Sequence, residues 1–226
     1  MRRERQVNRC SVNRQNIVRG GAIPAPGRYD LAPMSPPVLE SALVQRCEEL
    51  ARPLYVGLDG VQTFDRVDRV RSRIELLAAR ETVEDPEILE ILVIFHAVAD
   101  RLGTMAPAGR FDLFLGGLGL DESRRRLIRG GLKRYEEAPA TPEERLLHDA
   151  ALLEQAGVLA AVERLLAAGR KRLPARRVVG SLDPGPAPER FATRVGADWA
   201  SREQASTRRW LEDLRRRFEA GAPRLD

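Results

Sequence analysis

Only two histidines occur in the 226-residue chain, His96 and His148, so their surroundings are where chemistry is sought first. His96 stands in the apolar run Val93-Ile94-Phe95-His96-Ala97-Val98-Ala99, and Asp100 follows four residues later. On helical spacing that imidazole and carboxylate share a face and could together chelate one divalent ion. His148 and Asp149 form a second pair, next to Leu146 or Leu147, Leu152 and Leu153 on the inward side of a helix. Taken singly, each histidine reads first as a satisfied core or surface residue. No stronger signature competes with them. The chain has no Walker loop, no GxGxxG, no GxSxG and no Cys/His cluster. The run Gly116-Gly117-Leu118-Gly119 lacks the Lys-Ser/Thr and the preceding strand that a phosphate cradle needs, and reads as a turn.

The elements that must position these residues are helical. Leu39, Leu43, Cys47 and Leu50 or Ala51 recur at helical spacing from Val38 onward. Phe64, Val67, Val70, Ile74 and Leu77 form one stripe over 63–80. Pro86 suits the first turn of a third helix running to Leu102, which is apolar nearly all round and therefore predicted to be the buried centre. Further helices are predicted over 110–116, 121–135, 142–155 and 157–169, with Asp121 and Thr141 as N-caps. After the breaker Asp183-Pro184-Gly185-Pro186-Ala187-Pro188, a last helix over 189–219 carries Trp210, Leu211, Leu214 and Phe218 on one face. Arg177 to Leu182 is the sole strand candidate. The expected fold is all-α, a single-domain helical bundle over 38–220, with residues 221–226 as a tail.

Three segments carry a resemblance to the HD-domain superfamily of metal-dependent phosphohydrolases, in particular its small bacterial nucleotide-hydrolysing branch. They are Phe64-Asp65-Arg66-Val67-Asp68-Arg69-Val70, Ile94-Phe95-His96-Ala97-Val98-Ala99-Asp100, and Leu146-Leu147-His148-Asp149-Ala150 with Leu153 and Gly157 beyond. The closing helix, with Ala200, Glu203, Trp210, Leu211 and Phe218, resembles the last helix of that branch. The resemblance covers about residues 55–220 and implies an HD-type bundle.

It also implies a metal site, and here the chain departs from the pattern. The family holds its ion with a histidine, a His-Asp doublet and a distant Asp, because a bound cation neutralises phosphate charge and activates water. Placed on this chain, those positions are Arg66, His96-Ala97 and Asp149, so two of the four ligands are missing. Histidines that the family places near Ile128-Arg129-Gly130-Gly131 are missing too. A guanidinium has no lone pair to offer a cation. The expected site is therefore a vestigial pocket of Arg66, His96, Ala97, Asp100 and Asp149, with no cofactor and no canonical catalytic residue. Arg66 there either offers fixed positive charge to a phosphate or pairs with Asp149 or Asp100.

Two functional readings follow. One is a catalytically impaired binding or scaffolding module for a phosphorylated small molecule. The alternative is an active phosphohydrolase acting on nucleotides, with Mn, Mg or Fe held by a rebuilt set of His96, Asp100 and Asp149, with His148 as a further candidate ligand.

Composition bounds the rest. The chain is 43% hydrophobic and 31% charged, which suits a globular fold. The longest apolar run, Ile91 to Phe95, is far short of the ~18 residues a membrane helix needs. Cys10 and Cys47 make no disulfide scaffold, and a cytoplasmic location is expected. The net charge of +5 sits wholly in residues 1–33, where seven arginines face Glu4 and Asp30. With its Pro/Gly-rich continuation, the segment 1–37 reads as a disordered basic arm or as sequence upstream of a start at Met34. The remainder is electrically balanced. Nucleic-acid binding is not expected, because the arginines are not interleaved with stacking aromatics.

Overall fold

Helix α3, Pro86–Phe95, shows how sequence becomes architecture here. Asp85 caps it by accepting from the amides of Glu87 (3.2 Å) and Ile88 (3.0 Å), and Pro86 fills the first turn where no amide bond is needed. Ile88, Leu89 and all five residues from Ile91 to Phe95 are buried, and only Pro86, Glu87 and Glu90 keep some exposure to solvent. The neighbours that cover it are α1 (Ala42–Tyr55), α2 (Asp65–Ala78), α6 (Glu122–Arg134) and α7 (Pro142–Leu153). It is the central helix.

The structure, a computed structural model, describes residues 42–56, 63–104 and 109–220. The basic arm, Cys10 and the tail from 221 onward lie outside the described residues. Between α3 and α6 come a 3-10 turn at His96–Val98, α4 (Ala99–Thr104) and α5 (Arg110–Gly117). After α7 follow α8 (Gly157–Arg170), α9 (Ala175–Ser181), a 3-10 turn at Pro188–Arg190 and α10 (Arg194–Ala220). Among the described residues there is no strand, and no helix is long and apolar enough to cross a membrane. The described residues belong to one compact unit, and their fold is all-α.

The sequence expectation fails locally in two places. The predicted helix from Pro86 to Leu102 breaks after Phe95. At the break, side chains take carbonyls of the last turn: His96 Nδ1 lies 2.7 Å from Val93 O, and the Tyr55 hydroxyl donates to Ile94 O at 3.0 Å. Backbone oxygens satisfied by side chains no longer require the α-helical ladder to continue. The strand candidate Arg177 to Leu182 is instead helix α9 with its end, in which the adjacent Val178 and Val179 are both buried. A strand would have sent them to opposite faces.

The last helix also redistributes its load. Leu211 is buried with Ala161 and Leu182, Trp210 packs beside them only half-buried, and Phe218 is 40% exposed. The stripe is present, but its anchor is Leu211.

Candidate functional site

The break after Phe95 opens the wall of a cavity of about 770 Å3. Helix α2 supplies Arg66, the 3-10 turn and α4 supply His96, Ala97 and Asp100, and α6 with its C-terminal extension supplies Arg129, Lys133, Tyr135 and Glu136. Phe111 and Asp112 close the side formed by α5. Four of the five residues singled out from sequence therefore share one cavity. Asp149 is not among its lining residues.

Asp149 is fully buried and its carboxylate is fully engaged elsewhere. Oδ1 accepts from the Ala192 amide at 2.7 Å, while Oδ2 accepts from the Thr193 amide at 2.9 Å and the Thr193 hydroxyl at 2.6 Å. Thr193 then accepts from the Gly196 amide at 3.0 Å, which caps the first turn of α10. His148 is also spent on architecture. Its Nδ1 lies 2.7 Å from Tyr135 O and its Nε2 lies 2.9 Å from Arg190 O, which fastens α7 to two loops.

Within the cavity the charges are not evenly matched. Arg129 is held by Asp112 and by Glu122 at 3.1 Å. Arg66 makes no ion pair with Asp149, Asp100 or any other described residue, and its Nε is buried without a hydrogen-bond partner. His96 is 3% exposed and its Nε2 is likewise buried without a partner. Burial pushes the His96 pKa down to about 4; the Val93 carbonyl opposes that shift and the Arg66 charge adds to it. The Tyr135 hydroxyl lies 2.7 Å from the Glu136 carboxylate and 3.2 Å from His96 O. Burial, with Glu136 beside it, raises the Tyr135 pKa well above the ordinary phenol value. That phenol stays protonated and can donate.

The metal that the sequence resemblance implies does not fit these residues. Ala97 has no donor atom, Arg66 brings a positive charge, and both Asp149 oxygens already accept hydrogen bonds. Among the described residues, no three His, Cys, Asp or Glu side chains group in a way that could hold an ion. The set His96, Asp100 and Asp149, with or without His148, is therefore not gathered at one point.

Sequence reasoning passes over Lys133, Tyr135, Glu136, Phe111 and Asp112. Arg129 and Lys133 leave a usable trace, since residues four apart share a helix face. The others reach the cavity only through the tertiary packing of α5 against α6.

The arrangement of these helices has counterparts among solved structures. An HD-superfamily hydrolase from Bacillus thuringiensis superposes with a TM-score of 0.60 at 16% identity, covering 78% of this chain and 97% of that one. The fold is that of the HD superfamily. YpgQ from Bacillus subtilis, also with this fold, gives a TM-score of 0.57 at 14% identity over 81% of this chain and 97% of its own. The ADP complex of YpgQ gives 0.58 at the same identity and coverage. No protein-family model and no curated protein matches the sequence. The HD fold is thus carried by packing pattern, at an identity where side-chain chemistry must be read residue by residue.

Proposed function

We propose that this HD-fold protein binds a phosphorylated small molecule in the cavity beside Arg66, without a metal ion, as a catalytically impaired binding or scaffolding module. The observation that carries this reading is the Arg66 guanidinium, which has no carboxylate partner among the described residues and a buried, unpartnered Nε. A permanently charged planar fork suits phosphoryl oxygens, and it stands where the resemblance would put a metal ligand. Lys133, exposed on the same cavity, adds a second cation. The ADP complex of the similarly folded YpgQ supports a nucleotide among the candidates.

The alternative is a metal-dependent phosphohydrolase. It is favoured by one observation, the hydrolase identity of the Bacillus thuringiensis protein with this fold. Thermal-shift measurements with ADP and simple phosphate esters, run with EDTA and again with Mn(II), separate the two. Stabilisation in EDTA that Arg66→Gln abolishes supports the proposal. Stabilisation that requires Mn(II), with phosphate release, overturns it in favour of the enzyme.

A further inference from the structure

The corner between α8 and α9 concentrates positive charge that nothing nearby neutralises. Residues 169–177 contain Arg170, Lys171, Arg172, Arg176 and Arg177 and no acid, and all nine residues are exposed. None of the five cations is in an ion pair among the described residues. The nearest acids in sequence are engaged elsewhere. Glu163, the one acid of α8, lies 3.4 Å from Arg69, and Asp183 lies 2.9 Å from Arg164.

The corner is fastened to the bundle. Val178 and Val179 are buried, and Arg215 of α10 donates to Val179 O at 3.4 Å and to Leu182 O at 2.6 Å. The end of α8 closes with the Leu173 amide donating to Ala168 O and the Arg172 amide to Gly169 O, both at 3.0 Å. That closure needs a left-handed residue, which glycine ordinarily supplies. Here it is Arg172, at φ +54°, the sole non-glycine with positive φ among the described residues. A cation thus stands where glycine would be less strained.

Apolar surface runs into the same corner. Leu159, Leu166 and Leu173 recur at a spacing of seven and are 53%, 59% and 46% exposed. Seven residues make about two helical turns, so Leu159 and Leu166 share one face of α8, and Leu173 follows its end. A single exposed leucine is ordinary, but this series leads into five unpaired cations. Such a surface suits a bilayer rich in anionic lipid, where cations meet headgroup phosphates and apolar side chains enter the acyl boundary. A second copy of this chain would bring like charge against like. A nucleic acid would answer the cations but leave the leucines in water, and no aromatic residue over 157–182 offers its bases a stacking partner.

We infer that the α8–α9 corner docks on an anionic lipid bilayer, lying on it without spanning it. The five cations face the headgroups, and Leu166 and Leu173 enter the acyl boundary. None of these residues lines the cavity beside Arg66, so this surface and the phosphoester site can be tested separately.

The test sediments the full chain with vesicles of phosphatidylcholine alone, or of phosphatidylcholine and phosphatidylglycerol in equal parts, and measures binding to poly(U) RNA in parallel. Binding should be confined to the anionic vesicles and should weaken as salt rises. Arg176→Gln with Arg177→Gln should weaken it ~10-fold or more, because each cation near an anionic leaflet is worth roughly fivefold. Arg172→Gly should also weaken it while unfolding no earlier than wild type, which separates lost charge from lost folding. Leu173→Ser should weaken vesicle binding severalfold. Vesicle binding that survives all of these substitutions belongs to the arginines of residues 1–33 and overturns the inference. Tighter binding to poly(U) than to anionic vesicles, with Leu173→Ser affecting neither, assigns the corner to nucleic acid and overturns it as well. Equal binding to neutral vesicles, or no vesicle binding, does the same.

Discussion

Asp149 holds Thr193 through one carboxylate oxygen, which accepts from the hydroxyl at 2.6 Å and from the amide at 2.9 Å. The pair joins the middle of the bundle to the start of α10, and Gly196 makes room for it. A Cβ at Gly196 would collide with that same carboxylate. Asp149→Ala strands donors on Ala192 and Thr193 and should cost ~1–3 kcal/mol in urea unfolding. Gly196→Ala should destabilise by pushing the carboxylate away. If both variants unfold at the wild-type midpoint, the junction contributes nothing to stability.

The same carboxyl gives a pH signature of unusual sign. Burial raises its pKa above the ordinary value, and the hydrogen bonds from Thr193 and Ala192, with nearby His148, bring it only part of the way back. A carboxyl raised in the folded state stabilises most when protonated. Its contribution is complete below the unfolded pKa and is lost as pH rises through the folded pKa. Asp149→Asn cannot titrate, so the wild-type advantage over it should shrink as pH climbs from the acid range toward neutrality. Urea midpoints at a series of pH values measure this, and an advantage that grows with pH contradicts it.

His96 titrates in the opposite sense. Its folded pKa of about 4 lies below the ordinary 6.5, so the folded state prefers the neutral ring. Stability from that preference is complete above 6.5 and is lost as pH falls from there toward about 4. The stability difference between wild type and His96→Phe should therefore narrow on acidification through this window. A difference that stays constant from pH 7 to pH 4 would mean that the ring is open to water.

How much of this is legible in sequence depends on the range of the interaction involved. The caps at Asp121 and Thr141 are local, and the structure has both: Asp121 accepts from the Arg124 amide at 2.8 Å and Thr141 from the Glu144 amide at 3.2 Å. The nearly all-apolar α3 also announces its burial, because burial on most sides leaves a composition that an ordinary amphipathic helix lacks. The break at Phe95 is hidden, since no Gly or Pro marks it; the contact from Tyr55 that stabilises it comes from 39 residues away. Helix α9 resembles a strand in sequence because Val178-Val179 is β-branched, while its period cannot be judged over so short a span. The place of Asp149 depends on Ala192 and Thr193, more than forty residues on, and helical spacing carries no trace of that.

Cys47 should be chemically silent. It is fully buried in α1, and burial pushes its thiol pKa up to about 12, against a small opposing effect of Arg46. Thiolate is the reactive species, so alkylation of the native protein should leave Cys47 untouched until denaturant is added. Peptide mapping after brief iodoacetamide treatment checks this. Rapid native labelling at Cys47 would mean that α1 detaches from α3.

Installing the donors that the sequence resemblance implies tests what the present residues do in their place. Arg66→His with Ala97→Asp adds an imidazole and a carboxylate on the cavity next to His96, and removes the guanidinium charge that opposes a cation. Wild type should bind no Mn(II) detectable by electron paramagnetic resonance titration, because its donors are too few and face a fixed positive charge. The double variant should bind measurably through the two introduced donors together with His96, yet weakly. Asp149 remains engaged with Ala192 and Thr193, so the fourth ligand is not free to join. Adding Thr193→Ala releases one of the bonds that hold Asp149 Oδ2 and should tighten Mn(II) binding in the double-variant background. The same single change in wild type should leave Mn(II) unbound. Tight Mn(II) binding by unaltered wild type would mean that Asp149 leaves Thr193 for the metal, and would favour the metal-dependent alternative over the metal-free proposal.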